Sequence, residues 1–272
     1  MPRQRPWLLP WPPAGRTLLG TFLQLPCAAM AEYLAVLPFD FLCIDAEHAP
    51  FDAATINAVV AAAEGRAMPC IVRVAGVDPA AIKQALDAGA AAIMVPCIET
   101  AEQARAAVTA ARFPPLGRRG CGPGRAADYG REIIGYVRQA DASLRVIVQI
   151  ETRAAVENLD QILAVKGIDM LFMGPGDLSI AYRVAPGDQP VDPAPLLLDI
   201  AARCQATGMP VATFAGGIED AQRACAGGLD AVVLASDLML AGLGAGQALS
   251  ALGRDPDAAR VTAAPTAHPD RT

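Results

Sequence analysis

Eight short apolar runs recur along the chain, and between them apolar residues return at helical spacing. The runs are Leu19 to Leu25, Phe39 to Asp45, Cys70 to Val74, Ala91 to Pro96, Arg145 to Ile150, Asp169 to Gly174, Met209 to Phe214 and Asp230 to Ala235. They are nearly continuous rather than alternating, as parallel strands covered on both faces require. Helix signals fall between them. Asp78-Pro79 opens a segment that Gly89 stops, Thr100 opens Ala101 to Ala111, and Asp192-Pro193 starts a helix running to Thr207 before Gly208. Phrases such as Asp87-Ala88-Gly89-Ala90-Ala91 and Ala226-Gly227-Gly228-Leu229-Asp230-Ala231 repeat one geometry of helix end, glycine and next strand. Eight such units in a row predict a closed (β/α)8 barrel.

Composition adds size and surroundings to this pattern. The chain has 272 residues, 53% of them apolar, and a mean hydropathy of +0.33. Yet no stretch reaches the roughly 18 uncharged apolar residues of a membrane helix, so no membrane partner is expected. One barrel is expected over residues 17–254, with a proline-broken tail at 1–16 and an Ala/Pro/Asp-rich tail at 255–272, both disordered. Net charge is −6 and the only basic pair is Arg118-Arg119, which argues against nucleic acid. Seven cysteines, an odd number without a CxxC pair, predict reduced, buried thiols and a cytoplasmic protein.

Charge gathers where the strands end, the rim on which barrel enzymes place their chemistry. The second strand ends in Asp45-Ala46-Glu47-His48, the third in Arg73, the fifth in Gln149 and Glu151, and the sixth in Gly174-Pro175-Gly176-Asp177. Glu151 and Asp177 are 26 positions apart, one βα unit, so two carboxylates are expected side by side on neighbouring strands. That pairing suits a hard divalent cation. The glycine-rich link from Phe113 to Gly130 is also expected on this rim, after the fourth strand, with Arg119 and Arg125 placed to clamp an acidic substrate.

Two scarcities sharpen the chemistry. The chain has two histidines, His48 and His268, and the second falls in the expected tail, leaving His48 as the imidazole available for proton transfer. A Schiff-base aldolase needs a strand-borne lysine. The only lysines are Lys83, in a helix, and Lys166, in the turn before the sixth strand. Carbonyl activation is therefore expected from a metal acting as Lewis acid.

At these residues the chain resembles the metal-dependent class II pyruvate aldolases of the HpcH/HpaI type, a family that includes 4-hydroxy-2-oxoheptanedioate and 2-dehydro-3-deoxyglucarate aldolases. The matching stretches are Phe39 to Pro50, Val72-Arg73-Val74, Arg119 to Gly122 with Arg125-Ala126, Gln149 to Thr152 and Gly174 to Ser179. The resemblance implies a barrel of the phosphoenolpyruvate/pyruvate-binding type. It also implies reversible cleavage of a 4-hydroxy-2-oxo acid, such as a 2-keto-3-deoxy sugar acid or a hydroxy-oxo-diacid, to pyruvate and an aldehyde through a metal-stabilised enolate. It assigns Glu151 and Asp177 to the metal (Mg²⁺, Mn²⁺ or Co²⁺), Arg73 to the keto oxygen and His48 to proton removal. Substrate contacts are assigned to Gln149, Gly174, Pro175, Gly176, Asp177 and Thr213. Asp87 would pair with the histidine of a neighbouring subunit, and trimers paired into hexamers are implied. The apolar stretch from Leu238 to Leu252 reads as a helix that packs against another copy.

Alternatives stay open on the same residues. Phe214 to Ile218 and Gly228 to Ser236 look like the phosphate site of isomerase and synthase barrels, without the terminal Gly-Ser pair. A lyase acting on coenzyme A thioesters and a non-catalytic keto-acid-binding barrel are the other two.

Overall fold

The computed structural model describes residues 15–183, 185 and 187–255. The two expected tails fall outside the described residues, apart from Gly15, Arg16 and Asp255, and so does His268. Eight parallel strands run in chain order: β1 (Leu18–Leu23), β2 (Phe41–Asp45), β3 (Cys70–Arg73), β4 (Ala92–Val95), β5 (Arg145–Ile150), β6 (Met170–Met173), β7 (Val211–Ala215) and β8 (Ala231–Ser236). Each pairs with the next and β1 pairs with β8, so the barrel closes as the eight apolar runs predict.

Side-chain parity divides the apolar residues into two layers. Phe22, Phe41, Cys43, Ile71, Met94, Ile147, Met170 and Phe172 fill the lumen. Their neighbours Leu42, Ile44, Val72, Ile93, Val148 and Leu171 face the surrounding helices. Burial of both faces explains why the strands read as unbroken apolar runs. Phe41 sets one further requirement: a Cβ at Gly20 would stand 2.2 Å from its ring, so β1 needs glycine for the lumen to close.

The predicted helix signals act as read. Asp78 accepts from the backbone N–H groups of Ala80 and Ala81 at the head of helix Pro79–Asp87. Thr100 and Gln103 form a capping box on helix Ala101–Ala111. Gly208 ends helix Ala194–Thr207 at φ +71, in the left-handed region that glycine enters without a steric penalty.

The strand starts are tied by a repeated device. Asp40, just before β2, accepts from the Leu19 N–H at 2.9 Å. Asp169, just before β6, does so from Val146 at 2.8 Å, and Asp230, just before β8, from Val211 at 2.8 Å. Each carboxylate thus stitches one strand start to its neighbour. Arg16 forks onto Asp40 at 2.9 and 2.7 Å, and Arg112 pairs with Asp169 at 2.6 Å.

The expectation that the Phe113 to Gly130 link lies on the active rim is wrong. It follows helix Ala101–Ala111 rather than β4, and a helix returns the chain to the strand-start end. There Arg119 pairs with Asp87 at the end of helix Pro79–Asp87 (2.7 Å). Arg125 pairs with Glu64 and donates to the Ala88 carbonyl at 3.1 Å. Neither arginine clamps a substrate at the other end.

All seven cysteines are free, but only Cys43, Cys70 and Cys204 are buried; Cys27, Cys97, Cys121 and Cys225 are exposed. Among the described residues no helix is long and apolar enough to cross a membrane. The chain divides after Asp237 into two compact units. The first holds the whole barrel. The second carries the rest of helix Asp237–Ala251, with Leu238, Met239, Leu243, Leu249 and Leu252 exposed.

Candidate active site

The inward rows of three strands continue past the apolar lumen into charge. Phe41 and Cys43 lead to Asp45, Ile71 to Arg73, and Ile147 to Gln149 and Glu151, so the two-residue strand period aims all four polar side chains at one mouth. Asp45, without any exposed surface, receives Arg73 in a fork: Nε to Oδ1 at 3.1 Å and Nη2 to Oδ2 at 2.9 Å. Gln24 adds a bond from Nε2 at 3.1 Å, and the His48 backbone N–H another at 3.1 Å. Burial opposes the Asp45 charge, but the hydrogen bond and charge of Arg73, with help from Gln24 and His48, hold its carboxyl below the usual carboxylate range. The Arg73 guanidinium lies 4.5 Å from the Phe22 ring centroid, which supports its flat face.

Glu47 stands between this pair and the next carboxylate. Its Oε2 is 3.3 Å from Arg73 Nε and 3.6 Å from His48 Nε2, yet it is buried and completes no hydrogen bond. Burial pushes the Glu47 carboxyl up, with Glu151 and Asp45 adding to the rise and Arg73 and His48 opposing it. Glu151, 5% exposed, accepts from the Cys97 backbone N–H at 2.7 Å and from Gln149 Nε2. Gly174 allows this packing, because a Cβ there would meet the Glu151 Cβ at 2.9 Å.

One oxygen each from Glu47 and Glu151 and the Cys97 Sγ all lie within 4.8 Å of one another. Cys97 follows β4 at φ +54, a left-handed conformation that non-glycine residues seldom adopt. Its thiol is pushed up to about 12 by desolvation, by the hydrogen bond and charge of Glu151, and by the charges of Glu47 and Asp177. Four acidic or thiol groups therefore share one electrostatic environment. Crowded carboxylate oxygens, one of them buried without a hydrogen bond, form a donor set that suits a divalent cation.

The positions marked by the sequence are only partly drawn together. Arg73, Gln149 and Glu151 converge as parity requires, and exposed His48 sits beside Glu47. Gly174, Pro175, Gly176 and Asp177 form the turn into helix Pro175–Ala181, with Asp177 exposed in its first turn and outside the 4.8 Å group. Thr213 does not join them. It shares parity with Val211 and Ala215, which face the helices, and its hydroxyl bonds the carbonyls of Met173 (3.3 Å) and Phe214 (3.4 Å). Phe214 takes the lumen side, 5.9 Å from the Phe22 ring. Asp87, bonded to Arg119, belongs to the strand-start end. Sequence reading did not single out Cys97 or Gln24; the ends of β4 and β1 were the cue, since every rim begins where a strand stops.

A cavity of about 930 Å³ lies away from this mouth, bounded by Lys83, Arg105, Arg118 and Arg119 among others. No strand-end residue lines it, so it is not the site.

Residues 18–242 match the family described as HpcH/HpaI aldolase/citrate lyase. The chain is 40% identical over 247 residues to 2-dehydro-3,6-dideoxy-6-sulfogluconate aldolase of Pseudomonas putida, covering 90% of this chain and 96% of that one. It is 38% identical to 2-keto-3-deoxy-L-rhamnonate aldolase of Salmonella gallinarum, covering 83% and 85%. Among solved structures, an HpcH/HpaI aldolase/citrate lyase family protein from Burkholderia cenocepacia superposes with a TM-score of 0.82 at 34% identity, covering 88% of this chain and 95% of that one.

Proposed function

The chain belongs to the HpcH/HpaI aldolase/citrate lyase family and is a carbon–carbon lyase, and on that footing we propose that its rim cleaves 2-keto-3-deoxy sugar acids to pyruvate and an aldehyde with the help of a divalent cation. The observation that carries this reading is the convergence of Glu47, Glu151, Arg73 and His48 on one mouth of the barrel. The names of the sulfogluconate and rhamnonate relatives favour an acyclic sugar acid over a diacid.

Glu151 and Asp177 are the residues to hold Mg²⁺, Mn²⁺ or Co²⁺, which when bound supplies Lewis-acid polarisation of the oxo-acid oxygens. Arg73 does the rest of the electrostatic work. Asp45 engages its Nε and Nη2, leaving Nη1 to donate to the keto oxygen, where negative charge develops. His48 takes the proton of the C4 hydroxyl as the C3–C4 bond breaks. The bonding pair moves into the enolate and the C4 oxygen becomes the aldehyde carbonyl. A proton returned to C3 completes pyruvate. Gln149 fixes Glu151, and the Gly174–Asp177 turn borders the substrate carboxylate.

Asp87 and His48 occupy opposite ends of one barrel, so an Asp87–His48 pair requires two copies. The exposed leucines of helix Asp237–Ala251 are the surface assigned to a neighbouring copy in a trimer or hexamer. Light scattering on a Leu243→Glu, Leu249→Glu variant should give smaller particles and lower activity together; a fully active monomer would contradict the shared site.

The direct test is a coupled pyruvate-release assay on a panel of 4-hydroxy-2-oxo acids. Turnover of 2-keto-3-deoxy sugar acids, lost with chelator and restored by Mg²⁺, Mn²⁺ or Co²⁺, is the expected result. Turnover only of phosphate esters or coenzyme A thioesters would overturn it.

A further inference from the structure

Cys97 has no task in the divalent-cation site described above, although its backbone is held in a conformation that side chains rarely adopt. The residue is held at φ +54, in the left-handed region where a side chain other than glycine is strained. The bond from its N–H to Glu151 Oε1 at 2.7 Å fixes it there. Strain of this kind persists where the surroundings over-determine it, and here those surroundings are the acids of the site. Core packing does not explain the residue. Cys43, Cys70 and Cys204 are buried, whereas Cys97 is exposed beside the mouth.

Two further observations direct the thiol toward a cation. Its Sγ lies within 4.8 Å of an oxygen of Glu47 and one of Glu151. Beside Glu151 the Gln149 Oε1 is buried without a hydrogen bond, and so is Glu47 Oε2. A sulfur placed among such oxygens is the feature that distinguishes a borderline-metal site from a magnesium site, because thiolate binds Zn²⁺, Co²⁺ and Cd²⁺ readily and Mg²⁺ poorly.

We propose that Cys97 is a metal ligand, joining the Glu151 and Asp177 of the reading above, with Glu47 beside them, to give this rim a mixed sulfur and oxygen donor set that selects Co²⁺ or Zn²⁺ over Mg²⁺. The assignment rests on the metal-dependent reading above and adds a ligand and a selectivity to it. Binding breaks the S–H bond; the proton leaves to solvent and the sulfur electron pair goes to the cation, without any redox change.

Cobalt absorption tests the ligand without recourse to activity. Titration of the metal-free full-length protein with Co²⁺ should produce weak visible bands and, with the same end point, a strong near-ultraviolet band from sulfur-to-cobalt charge transfer. Cys97→Ser should keep the visible bands, lose the near-ultraviolet band and bind Co²⁺ on the order of 10–100-fold more weakly, with Mg²⁺ affinity unchanged. Cobalt that binds without the sulfur band, or a band that survives Cys97→Ser, would overturn the role of Cys97 and leave the Glu151 site standing. Absence of Co²⁺ binding, or binding indifferent to Glu151→Gln, would overturn the metal reading itself and this inference with it.

Discussion

The two ends of the barrel use the same residue types to opposite effect. At the strand starts, Asp40, Asp169 and Asp230 each accept a backbone N–H from the neighbouring strand, and Arg16 and Arg112 close the first two. Asp87 pairs with Arg119 there through Oδ1. At the strand ends, Glu47 and Gln149 keep buried oxygens without hydrogen bonds, and Glu151 shares its surroundings with a thiol. Asp45, forked by Arg73, and Asp237, accepting from the N–H groups of Gln24 (2.9 Å) and Leu25 (3.0 Å), are the exceptions at the strand ends. At the strand starts the carboxylates bond the backbone of a neighbouring strand and tie the chain together. At the mouth Glu47 Oε2 is buried without a hydrogen bond and has a lone pair to offer a ligand.

Substitution of one acid at each end should break the symmetry most visibly. Glu151→Gln should reduce pyruvate release by at least the ~10–100-fold that loss of even an outer metal partner costs, with little change in Tm. Asp169→Ala should do the reverse. It leaves the Val146 N–H and a buried Arg112 short of a partner, at a cost of about 1–3 kcal/mol, while kcat stays near wild type. Thermal melts and steady-state kinetics on the two variants check both halves; equal losses of activity would abolish the distinction.

Arg73 is the next largest effect and separates chemistry from structure within the rim. Truncation would strand Asp45 as a buried unpaired charge, a loss of about 3–5 kcal/mol, so Arg73→Lys is the informative change. It keeps the charge and loses the fork. Cleavage should fall by a factor on the order of 10² with the fold intact by circular dichroism.

These distinctions were legible in the sequence to unequal degrees. The barrel and its caps could be read because burial on both strand faces and capping chemistry are local. Asp45, Arg73, Gln149 and Glu151 follow from parity once strand ends are known. Thr213 failed on that same rule, since a shift of one residue at β7 exchanges it with Phe214. The 113–130 link was misplaced because counting from β4 passed over a helix that the same reading had already recognised. Cys97 gave no signal of its own, because its placement depends on a left-handed turn and on Glu151, 54 positions away.

Acid titration offers a smaller effect of opposite sign at the two ends. Asp45 ionises below the usual range, so its contribution to stability is full above about pH 4 and fades as pH falls through the lower folded value. The Asp169 carboxyl is pushed up by burial against the opposing charge of Arg112. Its contribution is therefore full below about pH 4 and is lost as pH rises through the raised folded value. The stability gap between wild type and Asp45→Asn should narrow on acidification, whereas that between wild type and Asp169→Asn should shift in favour of wild type. Denaturant melts across the acid range would show parallel slopes if the two aspartates were equivalent.

Solvent exchange of the pyruvate methyl protons, followed by NMR in D₂O, tests the central claim most directly, since it isolates enolate formation from aldehyde preference. Wild-type protein should exchange them with added Mg²⁺, Mn²⁺ or Co²⁺ and stop in excess chelator, and Glu151→Gln should be silent throughout. Exchange that continues in chelator, or a pyruvate adduct trapped by borohydride, would contradict a metal-assisted rim.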